Sequence, residues 1–180
     1  MAQALAFCLF PTAIGPCGVA WTANALAAVQ LPEADEERTR RRLLRHTGEL
    51  PELAPPPFVQ SAIARIQALL EGAQDDLGDV PLDWSGVAPF HRRVYEVARA
   101  IPPGEVLSYG EVARRIGEPG AARAVGRALG RNPFAPVVPC HRVLAAGSRS
   151  GGFSAEGGAL TKLRMLEIEK ARIGGEPGLF

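Results

Sequence analysis

The stretch from Ser108 to Pro133 constrains this chain most, because its start, turn and stop signals leave little choice of backbone. Ser108-Tyr109-Gly110-Glu111 is a capping-box pattern. The serine hydroxyl and the carboxylate three residues on satisfy each other's orphan amides, so a helix begins here with Tyr109 in its first turn. Val112, Ala113 and Ile116 recur on one face and point inward. Gly117 to Gly120 make a tight turn, Ala121 to Gly130 form a further helix, and Asn132-Pro133 ends it. Two short helices joined by a tight turn are a helix-turn-helix layout.

The second of these helices is unusually bare. Ala121, Ala122, Ala124, Gly126 and Ala128 carry little side chain, while Arg123, Arg127 and Arg131 recur every four residues. Small residues and arginines serve helix packing and solubility in an ordinary protein, but a smooth helix with an arginine stripe also fits against a phosphate backbone. Cut after Ser85, the chain has 6 Lys+Arg against 11 Asp+Glu before the cut, net −5, and 14 against 8 after it, net +6. That split has two readings, a polyanion-binding module joined to an acidic partner, or two solvated faces. Taken with the helix-turn-helix spacing, it favours DNA.

Upstream, residues 4–31 alternate apolar stretches with turn residues and predict hairpin strands. Glu33, Asp35, Glu36 and Glu37 precede Arg38, Arg40, Arg41, Arg42 and Arg45, the order that suits one solvated surface helix. Past the Pro55-Pro56-Pro57 breaker, Val59, Ile63, Ile66 and Leu70 step at helical spacing, and residues 72–86 read as a linker rich in Gly and Asp. Phe90, Val94, Val97 and Ile101 form another stripe before Pro102-Pro103. A last helix is expected over about Leu160 to Ala171, with Leu160, Leu163 and Leu166 inward and Glu169 solvated. The fold class is α+β, with residues 1–85 as an N-terminal α/β structural domain and 86–180 as a helical DNA-binding domain.

Between the helices lies Val138-Pro139-Cys140-His141-Arg142-Val143-Leu144, a cysteine held between a proline and a histidine in an apolar run. A thiol reacts as thiolate, and lowering its pKa takes a proton acceptor, a cation or a helix N-terminus. His141 and Arg142 offer the first two. Cys8, Cys17 and Cys140 are too few and scattered for a disulfide framework or a four-ligand zinc site, and two buried thiols are expected at Cys8 and Cys17. No apolar stretch reaches the roughly 18 residues of a membrane span and no signal-type leader is present, so a cytoplasmic protein is expected.

Read together, Ser108-Tyr109, Ala121 to Gly126, Asn132-Pro133, Pro139 to Val143, Gly152-Phe153-Ser154 and Glu169 resemble the O6-alkylguanine-DNA alkyltransferases over residues 88–172. The resemblance implies a monomeric, cofactor-free, single-turnover transferase that binds alkylated double-stranded DNA from the minor-groove side through its helix-turn-helix. It would flip the base and take the alkyl group from O6-alkylguanine, with O4-alkylthymine as a second candidate substrate, onto its own cysteine.

The same resemblance implies the roles. Cys140 would be nucleophile and acceptor, His141 its base through a water, and Glu169 the group that orients the imidazole, which reverses the solvated reading of that glutamate. Tyr109 would protonate the leaving guanine and help rotate its phosphate, and Arg123 would fill the space the base leaves, with Ala122, Ala124, Gly126 and Arg127 along the same DNA-binding helix. Asn132 would tie that helix to the active-site turn. Val143 and Ser154 would offer backbone polar groups to the flipped base, Phe153 would be an apolar wall of its pocket, and Arg142 would brace the structure. Three departures stand out: no cysteine–histidine zinc set, Phe153 where many relatives carry Tyr, and a loop from Ser154 to Gly158 about two residues longer. A lesion sensor with an inert Cys140 and a helix-turn-helix regulator are the competing readings.

Overall fold

The computed structural model of the chain describes residues 3–145, 158–173 and 176–177. Three strands, β1 (Ala6–Phe10), β2 (Cys17–Trp21) and β3 (Leu26–Gln30), form an antiparallel meander in sequence order. Side chains alternate across a pleated strand, so the register that pairs Phe7 with Ala20 and Ala20 with Ala28 puts these residues on one face. There they pack with Leu43 of α1 (Glu36–Thr47). The approach is closest at Gly18, where an added Cβ would stand 3.0 Å from a Leu43 methyl. Cys17 lies opposite Phe10 and Cys8 opposite Val19, so the two thiols do not face each other, and both are free.

The other face of the sheet, through Phe10, Val19, Trp21 and Val29, meets Val59 and Ile66 of α2 (Pro57–Leu69), Val94 of α3 (Pro89–Arg99) and Val125 of α5 (Ala122–Gly130) in one continuous core. Pro57 is the first residue of α2 rather than a barrier before it, a position where the missing amide costs nothing. Residues 72–86, expected as a linker, are packed. Leu77, Val80 and Leu82 are buried. Leu26 donates its amide to the Pro81 carbonyl at 2.8 Å, and Arg99 holds the Leu77 and Val80 carbonyls at 2.8 and 2.9 Å. Trp84 sets its ring edge-on to Phe134 with centroids 5.5 Å apart, under the Arg92 guanidinium at 5.0 Å.

The expected helix-turn-helix forms. The Ser108 hydroxyl accepts from the Glu111 amide at 3.0 Å and the Glu111 carboxylate accepts from the Ser108 amide at 2.9 Å, starting α4 (Tyr109–Arg115). Gly117, with φ 81°, turns the chain in the left-handed region that only glycine enters freely. Tyr95 of α3, absent from the sequence reading, donates its hydroxyl to the Ala128 carbonyl at 2.6 Å and so pins the end of α5. Tyr95→Phe is expected to cost about 1 kcal/mol in urea unfolding, since that carbonyl keeps its bond from the Arg131 amide. A loss under about 0.3 kcal/mol would remove Tyr95 as the pin.

Two elements bring the cysteine segment to the helix-turn-helix. β4 (Leu107–Ser108) runs parallel to β5 (Val143–Leu144), so the residue that caps α4 sits beside the strand leaving Cys140. Behind it lies α6 (Gly158–Ile168). Leu160 is 76% exposed, which corrects the expected stripe. The buried face of this last stretch is Lys162, Met165, Leu166 and Glu169.

Candidate active site

Pro139 delivers the chain into a single 3-10 turn, Cys140–Arg142, closed by the Val143 amide on the Cys140 carbonyl. Asn132 braces this turn from the end of α5: its side-chain amide donates to the Val138 carbonyl at 2.7 Å and its oxygen accepts from the Phe134 amide at 2.9 Å. Cys140 is 5% exposed. Burial pushes its thiol up, against the Asn132 amide, the Lys162 charge and the backbone amides of Cys140 and His141. The resting group is therefore the thiol, and reaction requires that it lose its proton.

His141 is next to it in sequence and wholly buried. Burial holds the His141 imidazole below its usual pKa, outweighing the pull of Glu169, so it rests neutral. Its Nε2 lies 2.9 Å from Glu169 Oε2. An ionised carboxylate only accepts, so Nε2 carries the proton and Nδ1 keeps the lone pair. That Nδ1 is buried with no hydrogen-bond partner among the described residues.

Glu169 is buried, and Arg142 clamps it with Nε and a terminal nitrogen at 2.9 and 2.7 Å while its other terminal nitrogen holds the Ile101 carbonyl at 2.8 Å. Burial pushes the Glu169 carboxyl up, but the His141 charge, present once acid protonates the imidazole, the hydrogen bonds of Arg142 and His141 and the Arg142 charge outweigh it and bring it down to about 2. The sequence offered no sign of this pairing beyond the closeness of Arg142 to His141.

Lys162 was missed by the sequence reading. It is 1% exposed, donates its ammonium to the Val143 carbonyl at 2.8 Å, and stands over the Tyr109 ring, 5.9 Å from its centroid. Its signal was available: with Met165, Leu166 and Glu169 it makes a helical stripe of one face. Both backbone polar groups of Val143 are thus engaged, its amide by Cys140 and its carbonyl by Lys162.

On the outer side, Tyr109, Ala122, Arg123, Gly126 and Arg127 line a shallow cleft of about 480 Å³. Arg123 and Arg127 are exposed, and Ala124 is half-buried beside them. Tyr109 belongs to both regions: its ring forms a wall of the cleft, while burial, and Cys140 once ionised, push its phenol above its ordinary pKa. Of the residues expected in the site, Cys140, His141, Asn132, Val143, Glu169 and Tyr109 come together, and Arg123 and Arg127 lie on the surface leading to them. Phe153 and Ser154 lie outside the described residues.

A buried thiol and a Glu169-held imidazole on one turn, packed against a helix-turn-helix that carries a basic cleft, are the parts of a nucleophilic transferase on a DNA-binding scaffold. The family model for the 6-O-methylguanine DNA methyltransferase, DNA binding domain, matches residues 89–171. A methylated-DNA–protein-cysteine methyltransferase of Mycobacterium tuberculosis is 38% identical over 167 residues, 93% of each chain. One from Methanothermobacter thermautotrophicus is 33% identical over 88% of this chain and 82% of its own. The crystal structure of M. tuberculosis OGT in complex with DNA matches with a TM-score of 0.74 at 35% identity, over 92% of this chain and 93% of that one. The chain belongs to the methylated-DNA–protein-cysteine methyltransferase family.

Proposed function

We propose that this protein reverses DNA alkylation directly, moving the alkyl group of O6-alkylguanine in duplex DNA irreversibly onto Cys140. The observation that carries this reading is the buried Cys140 thiol on the same 3-10 turn as a Glu169-held imidazole, with the cleft of Tyr109 and Arg123 on the outer side. The small surface of Ala122, Ala124 and Gly126 suits α5 to a narrow minor groove, with Arg127 on the phosphates. Extruding the base costs a few kcal/mol, and Arg123 offsets part of this by filling the gap in the stack.

In the chemical step His141 Nδ1 takes the thiol proton through a bridging water, the ordinary partner for a buried polar nitrogen. The thiolate attacks the alkyl carbon, a carbon–sulfur bond forms, the carbon–O6 bond breaks, and its electron pair passes into the guanine. Tyr109 supplies a proton to that base. Asn132 holds the turn to α5, and Val143, Phe153 and Ser154 line the base. Residues 86–180 would carry this chemistry while 1–85 brace it, in a cytoplasmic monomer that needs no cofactor.

Mass spectrometry after incubation with a duplex bearing one O6-methylguanine tests this: one methyl group on the peptide containing Cys140 is expected. Binding with an unmodified Cys140 would favour a lesion sensor instead. Arg123→Ala should weaken repair of duplex DNA by about tenfold or more yet leave transfer from a free O6-alkylguanine base near the parent rate. Equal losses on the two substrates would move Arg123 into the chemical step or the fold.

A further inference from the structure

The two helices of the motif each supply part of the cleft, Tyr109 from α4 and Ala122, Arg123, Gly126 and Arg127 from α5, so the angle between them sets its width. Apolar packing through Val112, Ala113 and Val125 fixes the inner side of the pair. The turn that joins them lacks that support: residues 117–120 are all exposed, and two of the four are glycines. Arg93 of α3 crosses this turn. One terminal nitrogen donates to the Glu118 carboxylate at 2.9 Å, and the other donates to the Ile116 carbonyl at the end of α4. Gly117, in the left-handed region, lies between those two partners. Among the described residues no other side chain from outside the motif bonds to the turn, and the neighbouring Arg92 reaches Glu96 and Trp84 instead.

We infer that Arg93 is a positioning residue for DNA engagement: its guanidinium, bridging the Ile116 carbonyl and the Glu118 carboxylate across the Gly117 turn, fixes the angle at which α4 and α5 present the cleft to a duplex. The inference rests on the reading of that cleft as the DNA-binding face. A planar fork holds two acceptors in set directions at once, which a single ammonium does not. The positive charge also lies at the C-terminal end of α4, where the helix dipole favours it. Both side chains are about half exposed, and an ion pair in that setting adds little to stability. What the fork supplies is geometry, since one of its two partners is backbone. Glu118 balances the charge of Arg93, so the clamp acts without being a phosphate contact itself.

The test uses the full chain and a double variant, Arg93→Met with Glu118→Gln, which removes the clamp and leaves the net charge unchanged. Its affinity for a duplex bearing O6-methylguanine, measured by fluorescence anisotropy against salt, should fall about tenfold. The slope of log affinity against log salt should stay at the parent value, because no phosphate contact is lost. The rate at which iodoacetamide modifies Cys140, read by mass spectrometry without DNA, should also stay at the parent value. Cys8 and Cys17, pushed up by burial to about 11 and 12, stay silent near neutrality. A residue that served stability alone would lower the unfolding midpoint and leave the affinity of the folded protein untouched. Parent affinity in the double variant therefore overturns the inference, as does a slope reduced by about 0.9, which would make Arg93 a phosphate contact. Should the double variant not fold, Arg93→Lys decides, since it keeps the charge and loses the fork: weakened binding at the parent slope is expected, and parent affinity overturns the inference. A parent protein that binds the duplex but leaves Cys140 unmodified would defeat the alkyl-transfer reading and leave this comparison standing.

Discussion

Cys140→Ser is expected to abolish alkyl transfer, by at least roughly a thousandfold, while binding to alkylated duplex DNA stays near the parent level. The oxygen is close to the sulfur in size, so the turn closed by Val143 and braced by Asn132 is retained. What is lost is acidity and nucleophilicity: a serine hydroxyl in a site that already pushes ionisation up has no accessible anion, and the neutral imidazole is too weak a base to make one. The parent protein should act once per molecule, since a thioether has no leaving path back. Burst kinetics with DNA in excess check both points, and several turnovers per molecule, or measurable transfer by the serine variant, would end the suicide mechanism.

Glu169→Gln should have the largest combined effect, on stability and on reactivity. An exposed glutamate near a helix end is worth under about 0.5 kcal/mol, but this one is buried between two partners. Replacing it with a neutral amide leaves the Arg142 guanidinium buried without its counter-charge, at a cost of about 3 to 5 kcal/mol in chemical denaturation. On the proposed mechanism the same change also removes the charge that stabilises the His141 imidazolium, so the pH-rate profile of transfer moves to higher pH. The parent protein carries a matching acid signature. Its Glu169 is lowered from 4.5 to about 2 on folding, so its stabilising contribution is complete above about pH 5 and is lost as pH falls toward 2. The glutamine variant should lack that part of the acid transition. Superimposable denaturation curves and pH profiles would return Glu169 to the role of a solvated residue.

The capping box at Ser108 and Glu111 and the glycine turn after Ile116 were legible because such signals are local: each is a hydrogen bond or a backbone angle within a few residues. The strands of the N-terminal sheet were visible for the same reason. Lys162 and the Arg142–Glu169 pair were not, because their burial is decided by which face of α6 packs against the cysteine turn. Counting apolar residues favoured Leu160 over Lys162, whereas packing chose the phase that brings Lys162, Met165, Leu166 and Glu169 inward. Polar residues that a site requires are invisible to a pattern built on hydrophobicity. Residues 72–86 misled in the opposite sense, their Gly and Asp masking three buried aliphatics and the carbonyls that Arg99 holds.

The placement of Trp84 gives the protein an internal optical reporter. Its indole touches Phe134, whose amide is bound by Asn132, and Asn132 in turn holds the carbonyl two residues before Cys140. The other tryptophan, Trp21, is sealed within β2. Indole emission follows nearby charge and packing, so a displacement of the cysteine turn when an alkyl group lands on sulfur reaches Trp84 through two hydrogen bonds and one ring contact. Occupancy of Cys140 should then be readable in real time from tryptophan fluorescence, without a label on protein or DNA.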